Sequence, residues 1–165
     1  MIRREPDNSL DPDTILGFMQ RLWALDHALQ ARSKRMRARF GVTGPQRLVI
    51  RMIGRYPGIS AGPIAATLQV HPSTLTGVFR RLERQGLVRR TVDAQDHRRA
   101  VFHLTASGRR LNTRHAGTVD GSLRLALARI PPAKVRATED VLAALATALR
   151  QWPPPADRRP CPRSP

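Results

Sequence analysis

Two amphipathic segments joined by only three residues constrain this chain more than any other feature. The first begins at Ser60, a residue suited to cap a helix, carries Pro63 in its first turn, and offers Ile64, Ala65 and Leu68 for packing. After Gln69-Val70-His71, Pro72 opens a second segment, residues 71–86. There Leu75, Val78, Phe79 and Leu82 recur at i, i+3, i+4 and i+7, which at about 100° per residue gathers them on one side of a helix. A three- to four-residue link between two helices is the length found in helix-turn-helix units. The pair therefore reads as a supporting helix followed by a reading helix, whose N-terminal residues are the ones such units place in a groove.

The other side of the second helix carries Ser73, Thr74, Thr76, Gly77, Arg80, Arg81 and Arg84, with Glu83 its only acid. Short hydroxyls and a glycine let a backbone come close to base edges, and arginine forks match guanine or phosphate oxygens. A solvated basic helix would carry similar residues, so the surroundings must distinguish the two. The whole chain points the same way: 29 Lys and Arg against 12 Asp and Glu give a formal charge of +17 over 165 residues, and Lys34 and Lys134 are the only lysines. Such a chain favours a polyanion, nucleic acid before an anionic membrane surface. Aromatics are 4% of residues, so the core must be built from Leu, Val, Ile and Ala, and the expected class is mainly α.

Upstream, residues 1–12 are polar, contain Pro6 and Pro12, and are expected to be disordered. A long helix then starts near Asp13, with Ile15, Phe18, Leu22, Leu25, Leu29, Met36 and Phe40 along a heptad-like seam. Arg32, Lys34, Arg35, Arg37 and Arg39 near its end complement the helix dipole, or meet phosphates. Gly41 stops it, and Thr43-Gly44-Pro45 restarts a helix over 45–54 that presents Leu48, Val49, Met52 and Ile53 for burial.

Downstream of Gly86 the period changes. Residues 87–92 and 99–104 read as strands around a polar turn, a β-hairpin wing. Its tip carries Arg98 and Arg99 beside Asp93 and Asp96. Arginine at a hairpin tip suits a narrow minor groove, and a nearby carboxylate can hold the guanidinium extended. A solvated charged turn is the plainer alternative. Thr105 then caps a helix, and Ala116, Val119, Leu123, Leu127 and Ile130 predict one long amphipathic segment. After Pro131-Pro132, the residues Val135, Thr138, Leu142, Leu145, Leu149 and Trp152 predict another. Both suit pairing with a second copy of the chain. From Pro153 on, six of thirteen residues are proline, which predicts a disordered tail holding the lone Cys161.

Other classes fit poorly. One cysteine excludes an intrachain disulfide and a cysteine-based zinc cluster. The histidines at 27, 71, 97, 103 and 115 form no H-E-x-x-H pattern, and neither a nucleophile elbow nor a phosphate-binding glycine loop is present, so no enzyme, metal or cofactor is expected. No apolar run approaches the roughly 20 residues of a membrane span, and the first residues lack a signal peptide's hydrophobic region, so the expected location is cytoplasmic.

The order of these elements resembles the MarR family of bacterial transcription regulators over roughly residues 13–150. The strongest part is Pro72-Ser73-Thr74-Leu75-Thr76 through Arg81-Leu82-Glu83-Arg84-Gln85-Gly86-Leu87-Val88, followed in register by Asp93-x-x-Asp96-x-Arg98 and Leu104-Thr105-x-x-Gly108. The resemblance implies one domain over 13–152, with a winged helix-turn-helix at about 43–104 and dimerisation helices at about 13–40 and 105–152. It also implies a homodimer that binds double-stranded DNA at a pseudo-palindromic operator, as a repressor released by a small-molecule effector. In that frame Arg98 is the wing-tip arginine, Asp96 the acid that orients it, and Arg99 its neighbour. Gln95 stands where many members have arginine, which removes a backbone contact unless His97 or Arg99 supplies it. Effectors of the family lodge between the dimer helices and the winged domain, where Met19, Trp23 and His27 are candidates; the same residues suit a core or dimer interface. Many members answer to small aromatic acids. The rival expectation is a basic protein that coats nucleic acid without regard to sequence.

Overall fold

The computed structural model describes residues 11–151, so the expectations for residues 1–10, Trp152 and the proline-rich tail with Cys161 lie outside the described residues. Helix α1, Pro12–Phe40, starts one residue before the expected Asp13 because Asp11 caps it, its carboxylate accepting the Thr14 N–H at 2.9 Å. Pro12 occupies the first turn, where its missing N–H costs nothing. Gly41, at φ +74°, ends the helix in the left-handed region and donates to the Arg37 carbonyl at 2.8 Å.

Helix α2, Gly44–Arg55, corrects one expectation. Its buried face is Gln46, Arg47, Val49, Ile50 and Ile53, whereas Leu48 is 49% exposed. Gln46, Val49, Ile50 and Ile53 form an i, i+3, i+4, i+7 stripe, and Leu48 lies on the opposite side of the helix. Strand β1, Ile59–Ser60, was not expected, since two residues leave no alternating pattern. It pairs antiparallel with β3, Ile59 opposite Phe102, and so turns the wing hairpin into a three-stranded sheet of order β1-β3-β2.

Helices α3, Ala61–Leu68, and α4, Pro72–Arg84, form the expected helix-turn-helix pair. Strands β2, Val88–Val92, and β3, Ala100–Leu104, form the wing, with Val88 opposite Leu104 and Val92 opposite Ala100. Val49, Ile50, Ile53, Ile64, Leu75, Leu82, Val88 and Phe102 meet in one core, where the Phe79 and Phe102 rings stack with centroids 3.8 Å apart.

The long segment predicted from Thr105 to Ile130 is instead two short helices, α5 over Ala106–Thr113 and α6 over Val119–Leu127. Arg114 is extended and Gly117 sits at φ +82°, so the helical hydrogen-bond ladder stops. Thr118 Oγ1 restarts it by accepting the Gly121 N–H at 3.1 Å. Ala116 therefore lies in the bend and belongs to no apolar seam.

The described residues form two compact units that part inside α6, between Leu123 and Arg124. In the second, helix α7 over Pro132–Gln151 has no buried residue, and Val141, Leu142 and Leu149 are exposed.

Candidate nucleic-acid interface

Burial of Leu75, Phe79 and Leu82 pins one side of α4 to the core. At its start His71 is the cap: Nδ1 accepts the Ser73 N–H at 3.3 Å and lies 2.7 Å from Ser73 Oγ. At its end a complete Schellman turn forms. Gly86 at φ +64° donates to Glu83 O at 2.9 Å, and Leu87 N–H donates to Leu82 O at 3.0 Å. With both ends and one side fixed, Ser73, Thr74, Thr76, Gly77, Arg80, Arg81 and Arg84 all remain exposed on the other side. A Cβ at Gly77 would find nothing within 4 Å outside its own helix backbone, so among the described residues no other element covers the middle of that face.

The wing tip is held by aspartates, in a way the sequence did not suggest. Asp93 Oδ1 accepts the Gln95 N–H at 2.9 Å and Asp96 Oδ1 accepts the Arg98 N–H at 3.0 Å. These side chains mimic turns of the backbone. Asp96 thus positions Arg98 through its backbone amide; among the described residues no ion pair joins Asp96 to the Arg98 guanidinium, contrary to the expected side-chain contact. Arg98 is exposed, as are Gln95 and His97. Arg99 is exposed as well but tied down: its Nη2 donates to the buried Ser60 Oγ at 2.8 Å and anchors the tip to the start of α3. That bond takes the Ser60 hydroxyl, which makes no side-chain cap of α3 although Ser60 stands at the capping position.

A cluster missed in the sequence joins α2 to the ends of α5 and α6. Arg47 is 1% exposed and donates to Asp120 at 2.9 and 3.1 Å, and to the carbonyls of Leu111, Asn112 and Arg114 at 2.5, 3.2 and 2.6 Å. One guanidinium thereby satisfies the last carbonyls of α5 and binds the first turn of α6, fixing the bend between them. Arg51 adds a second contact to Asp120 at 3.5 Å. Partial burial pushes the Asp120 carboxyl up, but hydrogen bonds from Arg47 and Thr118 and the charges of Arg47 and Arg51 outweigh it and hold the group below its usual range. Asp120 lies 73 positions from Arg47, so no local pattern could have joined them.

Met19, Trp23 and His27 stand at i, i+4 and i+8 on α1, and all three are exposed, Trp23 by 63%. Among the described residues no three His, Cys, Asp or Glu side chains form a metal-binding group, and no helix is long and apolar enough to cross a membrane.

A family model described as MarR family matches residues 40–99, from the end of α1 through the wing tip. Over 121 residues the chain is 30% identical to the HTH-type transcriptional repressor Rv2887 of Mycobacterium tuberculosis, covering 73% of this chain and 86% of that protein. The chain belongs to the MarR family. It is a transcriptional regulator of that family, and its winged helix-turn-helix matches solved MarR-type structures in fold. The Staphylococcus aureus MepR–DNA complex superposes with a TM-score of 0.65 at 23% identity, over 80% of this chain and 97% of MepR. The PcaV regulator of Streptomyces coelicolor, solved with its natural ligand, gives 0.63 at 24% identity, over 86% of this MarR-family chain and 98% of PcaV.

Proposed function

We propose that this MarR-family regulator is a homodimeric repressor of a pseudo-palindromic double-stranded DNA operator, released by a small-molecule effector. The observation that carries the reading is the uncovered α4 face, hydroxyls and Gly77 towards its start and Arg80, Arg81 and Arg84 towards its end, on a helix immobilised at both ends. A face of this kind enters a major groove by its first turns and holds phosphates by its last. Arg98 at the tethered wing tip then reaches an adjacent minor groove.

Dimerisation rests on apolar surface. Ile15, Phe18, Leu25 and Leu29 of α1 are all exposed in the single chain, as are Leu142 and Leu149 of α7. Contiguous apolar residues at this spacing mark a surface for another helix, here that of a second copy. A two-fold dimer would set its reading helices about 34 Å apart, and a ligand preferring another spacing would lower affinity without touching DNA. Met19, Trp23 and His27 are the residues we assign to such a ligand, a small aromatic acid being the first class to try. Rv2887 is itself named a repressor, and PcaV was solved with a ligand bound.

The deciding experiment is sequencing of the genomic fragments the purified protein retains. A shared palindrome with half-sites one turn apart supports the reading. Retention without a common pattern favours sequence-neutral coating by a basic chain, and a single-chain mass at micromolar concentration overturns the dimer.

A further inference from the structure

The ends of α1 and α4 meet. Gln85 Nε2, just past α4, donates to the carbonyl of Gly41, just past α1, at 2.8 Å. Around this bond lies an open hollow of about 330 Å³ lined by Arg37, Gly41, Arg81, Arg84 and Gln85. All three arginines are exposed, no acid lines the hollow, and none of the three is in an ion pair among the described residues.

Helix dipoles explain part of this charge and not the rest. Two helix C-termini contribute roughly half a negative charge each, so together they offset about one of three guanidinium groups. The end carbonyls are also met without arginine: Gly41 N–H takes Arg37 O, Gln85 N–H takes Arg81 O, and Gln85 Nε2 takes Gly41 O. Arg39, the other arginine in the last turn of α1, lies over the Phe40 ring at 5.2 Å, whereas Arg37 faces the hollow. About two positive charges therefore remain for an external anion.

We propose that Arg37, Arg81 and Arg84 form a phosphodiester-binding hollow that extends the DNA footprint from the reading helix onto the end of α1. The inference rests on the DNA-binding reading above, because Arg81 and Arg84 belong to α4, and it adds to the DNA contacts the end of α1, a helix that reading uses for pairing and for the effector. Phosphate contacts of this kind carry no sequence information. They register as salt dependence, each neutralised phosphate contributing about 0.9 to the slope of log affinity against log salt.

The test is fluorescence anisotropy with the full chain and a labelled mixed-sequence duplex several turns long, over a salt series. Arg37→Gln should weaken binding roughly 5- to 10-fold near 0.1 M salt and lower the slope by about 0.9, while Arg37→Lys keeps the slope. Arg21→Gln, on the same helix about 24 Å away at 1.5 Å per residue, should leave both unchanged. A wild-type slope for Arg37→Gln, or an equal loss for Arg21→Gln, overturns the hollow while leaving DNA binding intact. A wild-type chain with no affinity for duplex overturns the DNA-binding reading, and the hollow with it.

Discussion

Replacing Asp120 by asparagine removes one negative charge from beside a guanidinium that has almost no contact with water. Arg47 is 1% exposed, so its charge cannot be rehydrated without opening the junction of α2, α5 and α6. Breaking a buried ion pair from one side costs about 3 to 5 kcal/mol. Two features of this site reduce that figure. Asp120 is 29% exposed, and three carbonyls continue to accept from Arg47 when the carboxylate is gone. Asp120→Asn should therefore cost about 2 kcal/mol. Arg47→Met roughly keeps the volume but takes the donor from the Arg114 carbonyl, at about 1 to 3 kcal/mol, and removes two charge-assisted bonds from the half-buried Asp120, at a similar cost; the Leu111 and Asn112 carbonyls keep the Arg114 N–H and Arg51 Nη1. It should be the worse variant, at about 3 kcal/mol or more after partial access of water. Urea unfolding at fixed protomer concentration reads both as a fall in midpoint with unchanged slope. The sign with pH follows from Asp120, whose carboxyl is held low in the fold. Its contribution is fully present above the unfolded value of about 3.9 and is lost as pH falls through the folded one. The gap between wild type and Asp120→Asn should stay constant above about pH 5 and close below pH 4. An Asp120→Asn midpoint matching wild type at neutral pH would refute the account, because the buried charge would then not need its partner.

The remaining predictions concern close approach and contact with DNA. Gly77→Ala should raise stability by about 0.5 to 1 kcal/mol, since no other element among the described residues lies near the added carbon; anisotropy should show weaker duplex binding, because the methyl keeps the backbone off base edges. Gly108→Ala should lose about 3 kcal/mol in the same urea titration, as its Cβ would stand 2.0 Å from the Leu87 carbonyl oxygen and force α5 off the wing. Arg98→Ala should cost about 1 to 3 kcal/mol on a preferred duplex with the melting temperature unchanged, and unaltered binding would remove the wing from the interface.

Local chemistry made much of this molecule legible in advance. The stripe of Leu75, Phe79 and Leu82, the short link before Pro72 and the change of period after Gly86 each depend on residues a few positions apart. The reading helix, its exposed basic face and the hairpin were accordingly readable as a string. Capping was less so: Ser60 stands where a cap belongs, yet its hydroxyl goes to Arg99, 39 positions away. Three decisions belonged to the tertiary structure alone. The bend at Gly117 competes with a helical pattern that runs straight through it, and the balance is tipped by Arg47 satisfying the carbonyls that the break exposes. The pairing of β1 with β3 needs a partner strand from beyond two helices. The meeting of Gly41 with Gln85, which gathers three arginines around one hollow, joins residues 44 positions apart. Periodicity and capping record a residue's neighbours along the chain; which distant charge or carbonyl it meets is settled only when the core has closed.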